Sequence, residues 1–124
     1  MCRILMSINP EYVDKILNGK KKYEYRKIKA KKQNINRIVI YATAPIMQVV
    51  GEVEVKNIIE DTPNSLWKKT KEKSGVKKDF YDSYYKNKNK AIAYELGDVI
   101  IYNTPITLSD LGINYIPQSY IYLD

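Results

Sequence analysis

The chain has 124 residues, a formal net charge of +7, no histidine and a single cysteine. That length suits one domain, since single cores typically need about 100–150 residues. Without histidine there is no Ser-His-Asp triad, Cys-His dyad or His-liganded zinc. With Cys2 alone there is no internal disulfide and no thiolate zinc site within one chain. Proton transfer near neutral pH is therefore left to Lys, Glu, Asp, Tyr or Cys2 with a displaced pKa.

In chain order, Arg3 to Ile8 (RILMSI) is a short apolar strand. Asn9-Pro10 then opens a helix, Asn as the cap and Pro at the first helical position. Tyr12, Val13, Ile16 and Leu17 form its apolar stripe, and Gly19 ends it. Lys20-Lys21-Lys22 follows at the negative end of the helix dipole. Lys21 to Lys27 alternates as a strand, with Tyr23 and Tyr25 on one face and Lys22, Glu24 and Arg26 on the other.

Residues 28–36 read as a basic loop, and Arg37 to Ala42 as a central strand, apolar on both faces. Val49 to Val55 alternates, with Gly51 marking a bulge or a close backbone approach. Thr62-Pro63 starts a second helix with Leu66, Trp67 and Thr70 on one side. Ser74-Gly75 breaks it, and Val76, Phe80 and Tyr84 define a third. Ala91 to Leu96, Asp98 to Tyr102 and Ser119 to Leu123 are the remaining strands, punctuated by Gly97 and Pro105. The fold class expected is α+β, a small mixed or antiparallel β-barrel with an early helix and an inserted helical pair. Strands this short bury enough surface when the sheet curls.

Charge narrows the partner. Every Lys and Arg lies between Arg3 and Lys90, and from Lys15 to Arg37 the only acid is Glu24. Such an excess favours a phosphate-bearing partner through counterion release. The start of the chain does not read as a secretory signal, and no apolar run is long enough to span a bilayer. A cytoplasmic protein with no membrane, metal or cofactor partner is expected. No Gly-rich phosphate cradle is present; GEVEV and GDVII hold isolated glycines.

Four segments, MSINPEYVDKILNGKKKYEYR, VIYATAPIMQVVGEVEV, IIEDTPNSLW and LGINYIPQSYIYL, resemble the ASCH domains of the PUA-like superfamily. They stand in the family's order and cover most of the chain, residues 1–124 reading as one such domain. The resemblance implies a β-barrel with helices near its mouth and a cleft that binds RNA or nucleotides. Some small relatives are amidohydrolases that remove the acetyl group of N4-acetylcytidine; others have been proposed as ribonucleases or coactivator modules.

The family's Gly-x-Lys falls on Gly19-Lys20-Lys21, which puts Lys21 in the catalytic or ligand-binding place, and Arg26 matches the family's Arg. There are two departures. Lys22 stands where a Thr often follows, and Glu24 stands where the amidohydrolases carry Thr, although larger relatives tend to carry Glu.

The expected site therefore comprises Lys21 and Glu24, as catalytic pair if the protein is an enzyme. Ser7, Lys20, Arg26, Tyr41, Thr43, Gln118 and Ser119 join them as ligand- or RNA-binding residues. Lys21 and Glu24 differ by three positions, so they converge only if Lys21 precedes the strand proper or a bulge intervenes. Flanking positive charge would lower the Lys21 pKa and Glu24 would raise it. The bland alternative is an ionic patch on a solvated, aggregation-resistant edge. Trp67, Phe80 and Tyr84 fit a helix-on-barrel interface better than a shelf for a nucleobase.

Overall fold

The structure, a computed structural model, describes residues 2–32 and 34–123. Its strands are β1 (Cys2–Ile8), β2 (Tyr23–Arg26), β3 (Ile35–Ala42), β4 (Gln48–Asp61), β5 (Ala91–Ile106) and β6 (Tyr120–Tyr122). The helices are α1 (Pro10–Leu17), α2 (Pro63–Thr70) and α3 (Lys78–Tyr84). The strands form one curled six-stranded sheet in the order β2-β5-β4-β3-β1-β6. β1 and β3 run parallel, Ile4 opposite Ile38; every other neighbouring pair is antiparallel. The fold is α+β, a half-barrel with a few helices.

Side-chain alternation sorts the core. Ile4, Met6, Ile38, Ile40, Val53, Ile92 and Tyr94 point to the concave side, where Val13 and Ile16 of α1 join them. On the opposite side of β5 and β2, Tyr25, Ala91 and Ala93 pack against Leu66, Tyr81 and Tyr85 of the α2–α3 region. Leu5, Val39, Tyr41 and Val49 form a third cluster, closed by Leu108. β3 is thus covered on both faces, as its run of apolar residues requires.

Three local features differ from the reading in chain order. β4 continues to Asp61, and β5 is one sixteen-residue strand rather than two. Gly97 stays within β5, where a Cβ would collide with the Glu54 side chain. Pro105 lies in a bulge: Gly51 pairs with Ile101 and Val49 with Ile106, which leaves residues 102–105 opposite Val50. A residue without an N–H is tolerated there because no ladder bond is asked of it. Gly51 both bulges and approaches closely, a Cβ there falling 2.5 Å from the Ile100 carbonyl oxygen. In α3 the residues facing the core are Tyr81 and Tyr85, while Phe80 is exposed.

Candidate functional site

The margins of the sheet, β2 and the β1–β6 side, meet at a seam built from side chains. Arg26 Nη1 donates to Ser119 Oγ at 3.1 Å, and Nη2 donates to the Ser7 carbonyl at 3.0 Å and to Glu24 Oε2 at 2.9 Å. Ser7 Oγ donates to the Pro117 carbonyl at 2.7 Å, and Ser7 N to the Ser119 carbonyl at 3.0 Å. These bonds hold the C-terminal segment beside the end of β1.

Lys21 is placed from three directions. Asn9 caps α1 by accepting from Glu11 N, and Gly19 at φ +82° turns the chain out of the helix. Lys21 N then donates to the Lys15 carbonyl at 2.9 Å, and Lys22 N to the Lys73 carbonyl at 2.8 Å. Lys21 thus precedes β2, which lets it turn toward Glu24 in spite of their odd spacing. Its Nζ donates to the Ser74 carbonyl at 2.7 Å and stands 3.9 Å from Glu24 Oε1. It also lies 4.9 Å from the Tyr25 ring centroid and 5.4 Å from that of Tyr12, within cation–π range. Gly75 at φ +71° covers the lysine stem so closely that a Cβ there would sit 2.5 Å from Lys21 Cβ.

Lys21 is 2% exposed. Burial lowers its pKa from 10.5 to about 8; Glu24 pulls it upward, while Lys15 and Arg26 push it further down. The distant Lys15, rather than the flanking Lys20 and Lys22, is the lysine that matters. Tyr12 is shifted upward, first by burial and then by the Glu11 and Glu24 charges.

Lys21, Glu24 and Arg26 line a hollow of about 170 Å³ with Ser7, Asn9 and Tyr12, walled by Tyr25, Val76, Phe80 and Tyr84. Among the described residues Glu24 is its only lining carboxylate. Arg26 Nε is buried and has no hydrogen-bond partner. The Phe80 and Tyr84 rings lie 6.0 Å apart and 14° from parallel, and Tyr12 packs on Phe80 at 5.6 Å. A larger hollow, about 590 Å³, lies toward the beginning of β1 and β3. The buried ionisable groups belong to the smaller one.

Of the residues named from sequence, Ser7, Lys21, Glu24 and Arg26 come together, and Ser119 touches the group through Arg26. Gln118 is exposed beside Ser119, and Lys20 is exposed with its N–H on Asn18 Oδ1. Tyr41 is buried in the third cluster on the far face of β3. Thr43 donates its N–H to the Ile8 carbonyl in the turn before Pro45. Neither Tyr41 nor Thr43 lines the hollow. Of the residues read from sequence as interface residues, Phe80 walls the hollow instead, Tyr84 both walls it and packs on Tyr85, and Trp67 packs on Tyr81. Ser74 and Gly75, read only as a helix break, supply the acceptor and the cover for Lys21.

Residues 6–100 match the ASCH domain profile. The chain belongs to the ASCH family. It is 31% identical over 94 residues to an ASCH domain-containing ribonuclease of Zymomonas mobilis, covering 76% of this chain and 64% of that protein. It is 32% identical over 87 residues to large ribosomal subunit protein uL22 of Ureaplasma parvum serovar 3, which covers 70% of this chain and 28% of that protein. The chain thus spans less than two thirds of the length of either relative. The crystal structure of ASCH from Zymomonas mobilis superposes with a TM-score of 0.89 at 29% identity, over 98% of this chain and 87% of that one. The ASCH fold accounts for the curled sheet and its helices. No helix among the described residues is long and apolar enough to cross a membrane.

Proposed function

We propose that this ASCH domain, taken over residues 1–124, binds a base of single-stranded RNA, plain or modified, in the Lys21–Glu24–Arg26 hollow. One observation carries the reading: two cations share one carboxylate there, an Arg26 N–H is left over, and aromatic rings wall the space. At about 170 Å³ the hollow is smaller than the roughly 300–1,000 Å³ of a drug-sized pocket, which suits one base rather than a whole nucleotide.

With a pKa of about 8, Lys21 is protonated in roughly nine molecules of ten at pH 7 and anchors a phosphate or carbonyl oxygen. Glu24 accepts from a base amino group. Phe80, 46% exposed, offers a ring on which a base stacks, worth about 1–3 kcal/mol. The ribonuclease name of the Zymomonas relative points to RNA as the ligand class.

The same relative favours a second reading, RNA cleavage. The neutral fraction of Lys21 takes the 2′-hydroxyl proton, and the 2′-oxygen attacks the adjacent phosphorus. The bond from phosphorus to the 5′-oxygen breaks, that oxygen leaving with the Tyr12 phenol proton. Removal of an acetyl group from a nucleoside has less support, since Glu24 stands where those relatives carry Thr.

The deciding experiment is a thermal-shift screen of nucleosides, modified nucleosides and ten-nucleotide single-stranded RNAs at low salt. A ligand of the folded state raises the melting temperature, and Arg26→Ala abolishes the shift. A folded protein that no member of the panel stabilises refutes the proposal. Lys21→Arg separates the two readings, because a guanidinium binds phosphate but does not act as a base near neutral pH. Binding kept with cleavage lost assigns a nuclease; no cleavage by the wild type assigns a binder.

A further inference from the structure

Beyond the hollow, a lysine-rich loop on the surface is unused by the function just described. The loop leaving Arg26 begins with Lys27, whose Nζ lies 4.7 Å from the centroid of Tyr84, a wall of the hollow. Lys29, Lys31 and Lys32 follow, all exposed, with Ala30 buried between them as the anchor of the loop. Lys32 N donates to Tyr122 Oη at 3.0 Å, and its Nζ lies 4.6 Å from the Tyr122 ring centroid. Tyr122 is three residues past Ser119, the residue that meets Arg26, a distance of about 10 Å along an extended strand. Loop and last strand thus run side by side away from the hollow.

They arrive at the second cavity, about 590 Å³, lined by Lys29, Lys31, Lys32 and Lys56 with Asn34 and Asn57, and by no carboxylate among the described residues. Four lysines line one concavity, and the buried Ala30 and the Tyr122 contacts keep the loop beside it. Such a surface is complementary to a ligand whose negative charge repeats along its length. A free nucleoside would have no use for it.

We infer that the Lys27–Lys32 loop and Lys56 form a phosphate track, so that the ligand is a polynucleotide whose backbone runs from the base-binding hollow into the lysine-lined cavity. The inference rests on the RNA-binding reading and deepens it, from a base to a strand. The chemistry read is the phosphodiester, with Asn34 and Asn57 able to bond its oxygens or the sugar hydroxyls.

The test compares the wild type with the triple variant Lys29→Gln, Lys31→Gln, Lys56→Gln, leaving Lys32 and its Tyr122 contacts in place. Probes are a mononucleotide, a ten-nucleotide single-stranded RNA and the DNA of the same sequence, each titrated between about 50 and 200 mM salt. Each lost contact flattens the salt slope by about 0.7 on a single strand, so the triple variant should flatten it by about 2. Affinity for the ten-mer should fall about tenfold to a hundredfold, while mononucleotide binding and the urea midpoint stay unchanged.

The same loss on RNA and DNA supports a track for either strand; loss on RNA alone supports it and assigns RNA. A triple variant with the wild-type slope overturns the track. So does displacement of the ten-mer by polyglutamate at equal charge, which would make the partner an acidic protein. Failure of the wild type to bind the mononucleotide or either ten-mer removes the base-binding reading as well. A ten-mer lost only on Arg26→Ala removes the track alone.

Discussion

Replacing Lys21 by methionine keeps most of the side-chain stem and removes its charge, and the pH dependence of stability should change in a defined window. The folded-state pKa of about 8 lies below the 10.5 of the exposed amine. Below about pH 8 both folded and unfolded chains hold this proton, and the folded state bears the full cost of a buried ammonium. At 1.36 kcal/mol per pKa unit that cost is about 3 kcal/mol. Between about pH 8 and 10.5 the folded chain has released the proton while the unfolded chain still binds it. Stability therefore rises with pH in that interval.

From pH 7 to 9.5 the gain works out at about 2 kcal/mol. Tyr25, whose pKa is raised by burial to about 12, and the other buried tyrosines act in the opposite sense as the pH approaches 10, because their unfolded forms ionise first. The difference between wild type and Lys21→Met cancels them. Urea denaturation at closely spaced pH values measures that difference. It should narrow in favour of the wild type by about 2 kcal/mol across the interval. A difference that stays flat would refute a Lys21 amine desolvated to this degree.

Glu24→Gln removes the largest influence holding the Lys21 pKa up, so the Lys21 titration, followed by NMR of its side chain, should move below about 8. It also takes away the negative charge between two nearly buried cations, and urea melts should show a loss of about 3 kcal/mol. Gly75→Ala and Gly112→Ala form a matched pair, with φ of +71° and +75°, but nothing lies within 4 Å of the Cβ at position 112. Both should lose about 1 kcal/mol to left-handed strain, while Gly75→Ala alone displaces the Lys21 stem, loses more, and weakens ligand binding in the hollow. Tyr25→Phe breaks its 2.7 Å bond to Thr70 Oγ1, which keeps the Leu66 carbonyl as acceptor, so thermal unfolding should report a loss of about 1 kcal/mol.

The elements legible in the sequence were those with local causes. Asn9-Pro10, the stripe through Val13 and Ile16, and Gly19 specify α1, and Thr62-Pro63 specifies α2, whose cap Thr62 accepts from Ser65 N. The alternating strand bearing Glu24 and Arg26 was also visible. What escaped depended on distant partners. Four aromatic residues on α3 offer two stripes, Phe80/Tyr84 and Tyr81/Tyr85, and periodicity alone does not choose between them; Leu66 and Tyr25 do, by receiving the second. Gly97 and Pro105 look like strand breaks until β4 is in place opposite them. Tyr41 and Thr43 end a strand near the hollow in sequence terms, yet strand parity sends the Tyr41 side chain to the far face. Ser74 gives no hint that its carbonyl, about 180 Å of chain from Lys21 if extended, is where the ammonium is moored, since they are joined only by folding.

The half-barrel fastens along its seam with one guanidinium instead of a run of backbone rungs. A clasp of that kind is shared property. An anion that draws Arg26 toward itself would loosen its bonds to Ser7 and Ser119, while the last strand keeps its backbone pairing with β1. A guest in the hollow would thus be felt at Ser119, where the chain enters that strand.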